Sequence, residues 1–459
     1  MNKQMHKMHA PRGAVAREAS ADARRPRVLL FNRSYWPDAE ATGQLLTELC
    51  EDLAAAFDVT VVAGQPNQNP GKVKFRRRGR QLRNGVRILR VWNTRFPKRF
   101  LPGRAVNLLS YLAGAALAAL RVQRPDIVVV ETDPPLLCLL GAFLRWWYGA
   151  KLVVYLQDIY PDIAIALDKL PNGRMTQSLR KLMFGIYRRA DRVVVLSRDM
   201  EQLLIRSGVA PRKISCIPNW VDTAHIVPQK RQNAFRAEHG LDGELVVMYS
   251  GNMGLCQRLD DVLAAADRLR DRSDVLFLLI GDGASRISLQ QTARRLALPN
   301  VRFLPYQPRQ HLAESLSAAD LHLIPLDPRI TSCLMPSKLY AVLASGSPLL
   351  AVAPDDCELA ELTRRHDIGV VIPPSQPEVL ADRIRLIADH PWDLEEMGRR
   401  ARRVAEDRYD RRRMTRRFGG MLSRLLGPGA GPQLGRAPQP LPTKTYSPTK
   451  PARRILLRK

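Results

Sequence analysis

The sequence predicts an α/β protein of two consecutive doubly wound domains, each built on a parallel sheet. Short β-branched runs alternate with longer helical patterns along the 459 residues. Runs such as IVVV and VVVL are apolar without interruption, as expected of strands that helices cover on both faces. A chain of this length also exceeds what a single hydrophobic core normally supports, which favours two domains.

Seven runs in the first half predict strands. They are RVLLFN from Arg27, VTVVAG from Val59, VRILRV from Val86, IVVVET from Ile127, KLVVYLQ from Lys151, RVVVLS from Arg192 and KISCIPN from Lys213. Six runs in the second half predict a further set. They are ELVVMYSG from Glu244, VLFLLIGDG from Val275, VRFLPY from Val301, LHLIPL from Leu321, PLLAVA from Pro348 and IGVVIPP from Ile368. Intervening segments such as SLRKLMFGIYRRA and LDDVLAAADRLR repeat apolar residues at helical spacing.

A polar segment without strand character, residues 223–243, separates the two halves. The predicted organisation is a disordered basic tail over 1–26, a first domain over 27–228, a second domain over 229–410, a C-terminal helix over 411–426 and a disordered basic tail over 427–459. The last tail has seven prolines and too few apolar groups to offset the entropy of ordering. Because ligands of doubly wound sheets bind beyond the carboxyl ends of strands, we expect the site in a cleft between the domains.

The net charge of +28 is unevenly distributed along the chain. Residues 1–27 carry +5 and residues 427–459 carry +7, whereas the body carries +13 over 28–228 and only +3 over 229–426. An excess of this size implies an anionic partner, which nucleic acid, a phospholipid surface or phosphorylated substrates would each provide.

The excess in the first domain is concentrated in one interval. No Asp or Glu lies between positions 58 and 126, where 15 Lys and Arg residues occur, most densely over 72–92. One interpretation is a solvated loop. The other follows from the apolar stretch over 105–120, because cations beside apolar residues suit anionic headgroups, and it predicts an anionic membrane surface over 72–122. This interpretation disfavours nucleic acid as a partner, since the sequence has no zinc-finger spacing, RNP-like pattern or heptad-linked basic region.

Several classes of site are disfavoured. Six cysteines without a CxxC pair indicate a reducing compartment, and the N-terminus lacks the apolar region of a signal peptide. The longest charge-free apolar stretch, residues 105–120, is shorter than the roughly 20 residues that a spanning helix needs. The GDGASR segment lacks the third glycine of GxGxxG, and no P-loop, HExxH or GxSxG motif occurs, which disfavours nicotinamide enzymes, P-loop NTPases and a metal site.

Six segments resemble, in order and spacing, the family 4 glycosyltransferases of the GT-B fold. They are LLFNRSYWPDAEATGQLLTELCEDLA, IPNWVDTAHIVP, YSGNMGLCQRLDDVLAAADRL, LLIGDGASRISLQ, FLPYQPRQHLAESLSAADLHLIPL and PSKLYAVLASGSPLLA. The likeness covers about residues 27–426 and is greatest to bacterial exopolysaccharide, O-antigen and colanic-acid transferases. It implies two Rossmann-like domains that face a cleft, with the last helix packed back on the first domain.

The resemblance implies a retaining, metal-independent transferase with no cofactor, which moves a sugar from a nucleotide-diphosphate donor to a lipid-linked or other saccharide acceptor. We expect it in the cytoplasm, peripheral on the inner face of the cell membrane. The alternatives are a nucleotide-sugar 2-epimerase of the same fold and a polyanion-binding or nucleic-acid-binding protein that keeps an inactive transferase fold.

The leaving diphosphate of such a donor needs cations or backbone N–H groups. Pro336 fits the first turn of a helix through SKLYAVLAS, and the free amides at that end, with Ser337 and Lys338, would receive the diphosphate. The alternative for Lys338 is an exposed helix lysine.

The loop after the first strand of the second domain is the other expected donor contact. Gly251 and Gly254 would let this loop approach the donor closely, and the resemblance adds Gly281. Asn252 stands where the family usually has Arg, and Arg258 is the nearest cation, which makes it a catalytic candidate with Lys338.

Two glutamates of the family are missing, because their positions fall at Cys333 and Ala341. Their absence leaves either altered specificity or lost activity open. Asp355, Asp356 and Glu358, in the loop after a late strand, are candidate substitutes, and a solvated surface turn is the alternative.

The first domain supplies the acceptor side of the expected cleft. Thr42 and Gly43 open its first helix, where their amides would face phosphate or acceptor, although Thr42 also suits an N-cap. Gln157 and Asp158 stand where many family members place a histidine near the reacting carbon. Asp158 would orient an acceptor hydroxyl or stabilise an oxocarbenium-like transition state, and a helix-capping role is its alternative.

Overall fold

The computed structural model describes most of the chain between residues 24 and 427. The described ranges are 24–38, 40–66, 79–94, 96, 101–390 and 394–427, without the side chains of residues 101, 102, 104 and 255. Most of both predicted tails, and the part of the basic interval over 67–78, lie outside these residues.

The described chain forms two α/β domains, each on its own sheet, which confirms the predicted fold class. The strands of the first sheet are β1 (Arg27–Phe31), β2 (Asp58–Ala63), β3 (Gly79–Arg83), β4 (Val86–Arg90), β5 (Ile127–Val130), β6 (Lys151–Tyr155), β7 (Arg192–Val195) and β8 (Ile214–Cys216). Its helices are α1 (Ala41–Leu53), α2 (Leu101–Ala119), α3 (Leu137–Tyr148), α4 (Asp162–Ala166), α5 (Arg174–Arg189) and α6 (Arg198–Arg206). Within the described residues the strand order is β3-β4-β2-β1-β5-β6-β7-β8, and every pair except β3–β4 is parallel.

The second sheet is parallel throughout its described strands, in the order β11-β10-β9-β12-β13-β14. These strands are β9 (Leu245–Ser250), β10 (Val275–Ile280), β11 (Val301–Leu304), β12 (Leu321–Pro325), β13 (Leu349–Val352) and β14 (Gly369–Ile372). The remaining helices are α7 (Ala234–His239), α8 (Leu259–Asp267), α9 (Arg286–Arg295), α10 (Leu312–Ser317), α11 (Lys338–Ala344), α12 (Glu358–Arg365), α13 (Pro377–Asp389), α14 (Leu394–Arg408) and α15 (Arg411–Leu426). Central strands such as β10 are buried over their whole length, as their apolar runs predict.

Each sheet reverses its strand order beside its first strand. β1 lies between β2 and β5, and β9 lies between β10 and β12. Crossovers on the two sides of such a point leave on opposite faces of the sheet, so a crevice opens at the carboxyl ends of these strands. The loops after β1, β5, β9 and β10 are therefore placed to form a site.

Strand β3 was not predicted from the sequence. It pairs antiparallel with β4 through a two-residue turn, Asn84–Gly85, in which both residues have positive φ (+45° and +79°). Asn-Gly is a strong hairpin signal because both residues tolerate this conformation, so the dipeptide is the local signal that identifies β3.

The arginines of this hairpin are engaged within the protein. Arg83 pairs with Glu51 (3.0 Å), Arg87 pairs with Asp58 (2.5 Å), and the buried Arg90 donates to a backbone carbonyl of the loop after β2 (2.8 Å). The described half of the basic interval therefore contributes to the fold at the sheet edge, and few of its cations are left for an external anion.

Two segments joined by an isolated parallel β-bridge, at Val221 and Asp410, connect the domains. The Val221 N–H donates to the Tyr409 carbonyl, and the Arg411 N–H donates to the Val221 carbonyl, both at 2.9 Å. Helix α15 then packs on α1 of the first domain, where Arg411 pairs with Asp52 (2.7 Å). The chain thus crosses between the domains twice at one place.

Helix α2 has 19 residues and contains residues 105–119 of the apolar stretch singled out in the sequence. No helix in the described ranges combines the length and the apolar character that crossing a bilayer requires.

Candidate active site

The two domains meet where the loop after β6 reaches the segment before α11. The Ile159 N–H donates to the Cys333 carbonyl (2.9 Å), and Asp158 and Leu334 form an isolated β-bridge. Asp158 of the first domain is therefore held beside the segment of the second domain that leads into Lys338.

The loop that follows β9 packs closely on the loop that follows β10. The Gly251 N–H donates to the Ile280 carbonyl (2.9 Å). A Cβ on Gly281 would lie 2.0 Å from the Gly251 carbonyl oxygen, and a Cβ on Gly283 would lie 2.4 Å from the Met253 carbonyl oxygen. Both glycines also have φ values, +139° and +155°, that side chains disfavour. Gly281 is thus needed for loop packing, which shapes the second-domain side of the cleft.

The loop after β9 offers one free amide at its tip. The N–H groups of Gly251 and Met253 bond to backbone carbonyls, and that of Gly254 donates to the Gln257 side chain (2.9 Å). Asn252 is exposed, and its N–H makes no hydrogen bond within the described part of the chain. A phosphate oxygen could accept a hydrogen bond from this N–H group.

Lys338, the first residue of α11, reaches the same loop. Its Nζ donates to the Tyr249 hydroxyl (2.7 Å), and that hydroxyl donates to the Asn252 carbonyl (2.5 Å). A Cβ on Gly251 would lie 3.0 Å from Lys338 Cε, so the glycine makes room for the lysine. Burial lowers the pKa of Lys338 from 10.5 to about 7. No carboxylate among the described residues pairs with this ammonium group, which suits it to an anionic ligand.

The helix that carries Lys338 begins later than predicted. Ser337 is the N-cap and Pro336 precedes it, so the placement of Pro336 in the first turn is wrong. The Leu339 N–H is already donated to the Pro336 carbonyl (3.2 Å), which tightens the entry into the helix and occupies one of the expected free amides. Ser337 is exposed at this end, beside Lys338.

A carboxyl group of altered acidity lies in the same cleft. Burial, with a smaller contribution from Asp133, raises the pKa of Asp158 to about 6. The Cys256 thiol interacts electrostatically with both Asp158 and Lys338. The structure thus brings together Asp158 and Lys338, two predicted catalytic residues that lie far apart in the sequence.

A buried polar network supports the first-domain side of the cleft. Tyr155 donates to Asn219 (3.1 Å), Asn219 donates to the Gln157 side-chain oxygen (3.0 Å), and Gln157 donates to Glu131 (3.3 Å). Burial raises the pKa of Glu131 well above its usual value, and its second oxygen has no partner among the described residues. Sequence reasoning missed Glu131, although an acidic residue directly after the apolar strand IVVV is an unusual feature.

The start of α1 faces the loops after β9 and β10. Its N-cap is Glu40, so Thr42 lies inside the first turn and does not cap the helix. Gly43 is buried against the loop after β1, where a Cβ would crowd the backbone. Glu40 interacts electrostatically with Tyr306, whose ring lies 3.4 Å from the Cβ position of Gly281. Thr42 and Gly43 are therefore on the first-domain wall of the cleft.

The comparisons with known proteins agree with this architecture. Residues 40–220 match the family model described as Glycosyl transferase 4-like domain, and residues 231–404 match the one described as Glycosyl transferases group 1. WbjE, named as a glycosyltransferase of Pseudomonas aeruginosa, is 30% identical over 67% of this chain and 76% of its own length. The chain belongs to the GT-B glycosyltransferases.

Two further relatives refine this assignment. WcaI of Escherichia coli K12, a glycosyl transferase assigned to colanic acid biosynthesis, is 28% identical to this transferase over 85% of this chain and 98% of its own length. HepE of Anabaena, solved in complex with UDP, has a TM-score of 0.67 at 16% identity, and the match covers 87% of this chain and 100% of HepE. The transferase is thus of the type that acts in polysaccharide synthesis.

Arg258, a predicted catalytic cation of the transferase, has an internal partner. It precedes α8 with a φ of +43°, and its guanidinium group contacts the Asp261 carboxylate (2.9 Å). The hydrogen bond from Arg258 to Asp261 raises the pKa of the arginine. The structure therefore assigns this charge to the start of α8, whereas Lys338 has no carboxylate partner among the described residues.

Glu358 joins the two domains of the transferase. The Arg198 N–H, at the start of α6, donates to the Glu358 carboxylate, and the Glu358 N–H, at the start of α12, donates to Asp199 (2.8 Å). Each carboxylate thus caps the helix of the other domain. Asp356 is exposed nearby, while Asp355 pairs with Arg364. The described contacts of Glu358 are with the first domain. The sequence predicts a contact of Glu358 with the donor instead.

The residues at the positions of the two missing glutamates lie among apolar side chains in the transferase. Cys333 is buried with Ile163, Leu326 and Ile330, and Ala341 is partly buried against the main core. Residues at these positions therefore pack the segment around α11. The described ranges contain no group of three His, Cys, Asp or Glu side chains placed to hold a metal ion.

Proposed function

We propose that this transferase moves a sugar from a nucleoside-diphosphate donor to a lipid-linked saccharide, with retention of configuration and without a metal ion, at the inner face of the cell membrane. The observation that carries the proposal is the Lys338 ammonium group, which is held by Tyr249 beside a glycine-containing loop and has no carboxylate partner among the described residues. The complexes of HepE, a protein of the same fold, with UDP and with UDP-glucose support a nucleotide donor.

On the donor side, Lys338 would balance the charge that develops on the leaving diphosphate. The free N–H of Asn252 would add one hydrogen bond to a phosphate oxygen. Tyr249 accepts from Lys338 and donates to the loop carbonyl of Asn252, so it orients both groups. Gly281 maintains the loop packing that places them.

On the acceptor side, Asp158 would accept a hydrogen bond from the attacking hydroxyl or stabilise positive charge at the anomeric carbon. Its raised pKa, about 6, leaves it mostly ionised at neutral pH and makes it a stronger proton acceptor than an exposed carboxylate. Gln157, which the buried Glu131 holds, would contact the sugar or the acceptor. Thr42 and Gly43 complete this wall of the cleft.

A lipid-linked acceptor would bring the protein to an anionic membrane surface, and the sequence predicts that residues 72–122 contact it. Arg83 and Arg87 are paired with carboxylates, as described above. Arg121 is exposed and makes no ion pair within the described ranges, so the available charge of this interval lies toward α2.

The proposal is tested by incubating the purified protein with UDP-glucose, UDP-galactose or GDP-mannose and bacterial membranes, while release of nucleoside diphosphate and incorporation of sugar into lipid extract are measured. We expect one donor to support both signals in the wild type, with Lys338→Met greatly reduced. Lys230→Met, at an exposed lysine of the second domain, is the matched control.

Different outcomes separate the alternatives. Retention is tested by the anomeric configuration of the product, determined by NMR. Conversion of the donor into another nucleotide sugar without an acceptor would instead support a 2-epimerase. Failure of every donor to bind or react, together with salt-sensitive binding of RNA, would overturn the transferase mechanism in favour of polyanion binding.

A further inference from the structure

Three helices of the first domain share one face of its sheet. Connections from β4 through α2 to β5, from β5 through α3 to β6, and from β6 through α5 to β7 all run in the same direction across the sheet. Right-handed crossovers in one direction place their helices on one face. Accordingly α2 packs against α3, and α3 packs against α5, whereas α15 packs with α1.

The outward side of α2, with the turn that follows it, is apolar over residues 106–120. Val106, Leu109, Leu117 and Leu120 are 44%, 58%, 59% and 46% exposed. Ala113, also exposed, continues the same helical spacing between them. A solvent-facing helix normally carries polar residues on this side, so the stripe indicates a surface that is covered in the functional state.

An aromatic cluster on α3 extends this apolar surface. Trp146 is 76% exposed and Trp147 is 56% exposed, and Phe143 is partly covered by both. The ring centroids of these three residues lie 5.9 to 6.2 Å apart. Tryptophan side chains, with an apolar body and one N–H donor, are favoured where hydrocarbon meets polar headgroups.

Helix α5 adds apolar and cationic side chains. Met175 is 83% exposed and Leu182 is 50% exposed. The neighbouring Arg174 and Lys181 are exposed and make no ion pair within the described ranges. Helices α2, α3 and α5 together contain seven Lys and Arg residues and no Asp or Glu.

We propose that the outward sides of α2, α3 and α5, here called the apolar–basic face, bind an anionic lipid bilayer, with Trp146 and Trp147 inserted at the headgroup level. This inference rests on the proposed function, in which the acceptor lies in a membrane. It assigns the membrane contact to three helices, whereas the hairpin arginines pair within the protein. The combination of aromatic and aliphatic side chains with unpaired cations matches a surface that offers hydrocarbon and negative charge.

Charge complementarity selects the bilayer over a second copy of this chain. A two-fold contact would place the same basic helices against each other, where Arg174 and Lys181 would meet like charges. Anionic headgroups would neutralise these cations, and the bilayer would at the same time bury the exposed aromatic side chains.

The test is flotation of the full chain with phosphatidylcholine vesicles that contain or lack phosphatidylglycerol. We expect the wild type to float with the anionic vesicles, and we expect the Trp146→Ser/Trp147→Ser variant to float at least about tenfold less. Ile287→Ser is the matched control, because Ile287 is 70% exposed on α9 of the second domain. Lys181→Glu should weaken flotation at low salt and have less effect at high salt.

Two further measurements make the result decisive. Brominated phosphatidylcholine included in the anionic vesicles should quench tryptophan fluorescence of the wild type more than that of the double variant. Stabilisation by UDP or GDP in a thermal melt reports folding and donor binding of each variant, so loss of flotation with this stabilisation intact isolates the membrane contact from the proposed donor site. If flotation persists and neither UDP nor GDP binds, the donor proposal fails and the membrane proposal stands.

The proposal is overturned if the wild type does not float with anionic vesicles, or if the double variant floats as well as the wild type. It is also overturned if light scattering shows a dimer that the tryptophan substitutions dissociate while vesicle binding is absent, because the face would then be an interface between copies.

Discussion

The Lys338 Nζ atom lies 2.7 Å from the Tyr249 hydroxyl oxygen, which joins the start of α11 to the end of β9. The ammonium group also lies 4.1 Å from the centroid of the Tyr249 ring. This contact holds the cation without neutralising it, because the tyrosine is uncharged. An anionic ligand at the carboxyl end of β9 would therefore meet a cation that is already oriented.

Replacement of Lys338 by Met should lower kcat/KM for sugar transfer by about 10²- to 10³-fold, since one preorganised charge on the leaving diphosphate is lost. Lys338→Arg should recover part of this activity. The thermal midpoint at pH 7 should not fall, because the buried charge is removed together with its desolvation. Transfer at the wild-type rate by Lys338→Met would exclude Lys338 from the mechanism.

Binding of UDP should be linked to proton uptake by Lys338. Burial lowers the pKa of the free side chain to about 7, so at pH 8 it is mostly neutral, and a bound diphosphate favours the charged form. Titration calorimetry at pH 8 in buffers of different ionisation enthalpy should show uptake of up to about one proton, which is absent in Lys338→Met.

The same shift affects folding stability without a ligand. The folded-state pKa, about 7, lies below the usual 10.5, so the unfolded chain binds more protons between these values. The contribution of Lys338 to the free energy of unfolding should therefore rise from pH 7 toward pH 10. A difference between wild type and Lys338→Met that does not change with pH in this window would contradict the prediction.

Substitution of Asp158 by Asn should separate chemistry from donor binding. We expect kcat to fall by about 10²-fold or more, because the variant cannot accept the proton or balance positive charge. The affinity for UDP should stay within about twofold. The wild-type rate should fall as pH decreases through about 6, where Asp158 becomes protonated, and this limb should be missing in the variant. Equal loss of UDP affinity would indicate a role in holding the two domains.

Gly281→Ala should destabilise the protein by about 2 kcal/mol or more, because the new Cβ would overlap the Gly251 carbonyl oxygen at a φ that alanine disfavours. Gly420→Ala is the matched control. Its Cβ would meet only the flexible end of Arg424 (3.6 Å) within α15, so the variant should be as stable as the wild type or slightly more stable. Denaturant unfolding of both variants checks the contrast.

Glu358→Ala should cost about 1 to 2 kcal/mol in unfolding free energy, because the start of α6 loses its carboxylate. UDP binding should remain, since the described contacts of Glu358 are with the first domain. Asp356→Ala, at an exposed residue, should leave both stability and UDP binding unchanged. A large loss of UDP affinity in Glu358→Ala with normal stability would instead support the donor contact that the sequence predicts for Glu358.

Much of the fold was predictable because its signals are local. Each predicted strand corresponds to an observed one, since an apolar run of four to six residues has the length and pattern of a buried parallel strand. The missed strand, β3, is a sequence of Gly, Arg, Gln and Leu on the sheet edge, where apolar residues are not required. Its only local signal was the Asn84–Gly85 turn.

The sequence by itself determined two parallel-sheet domains, the loops at the carboxyl ends of their strands, and the family. Only the tertiary structure decided which charged groups are available. Arg258 has a partner in Asp261, Arg83 has one in Glu51, and Glu358 spans the domains, whereas Lys338 has no carboxylate partner among the described residues. The physical reason is that hydrophobic periodicity is a property of neighbouring residues. The availability of a charge depends on burial and on partners that folding brings from distant positions.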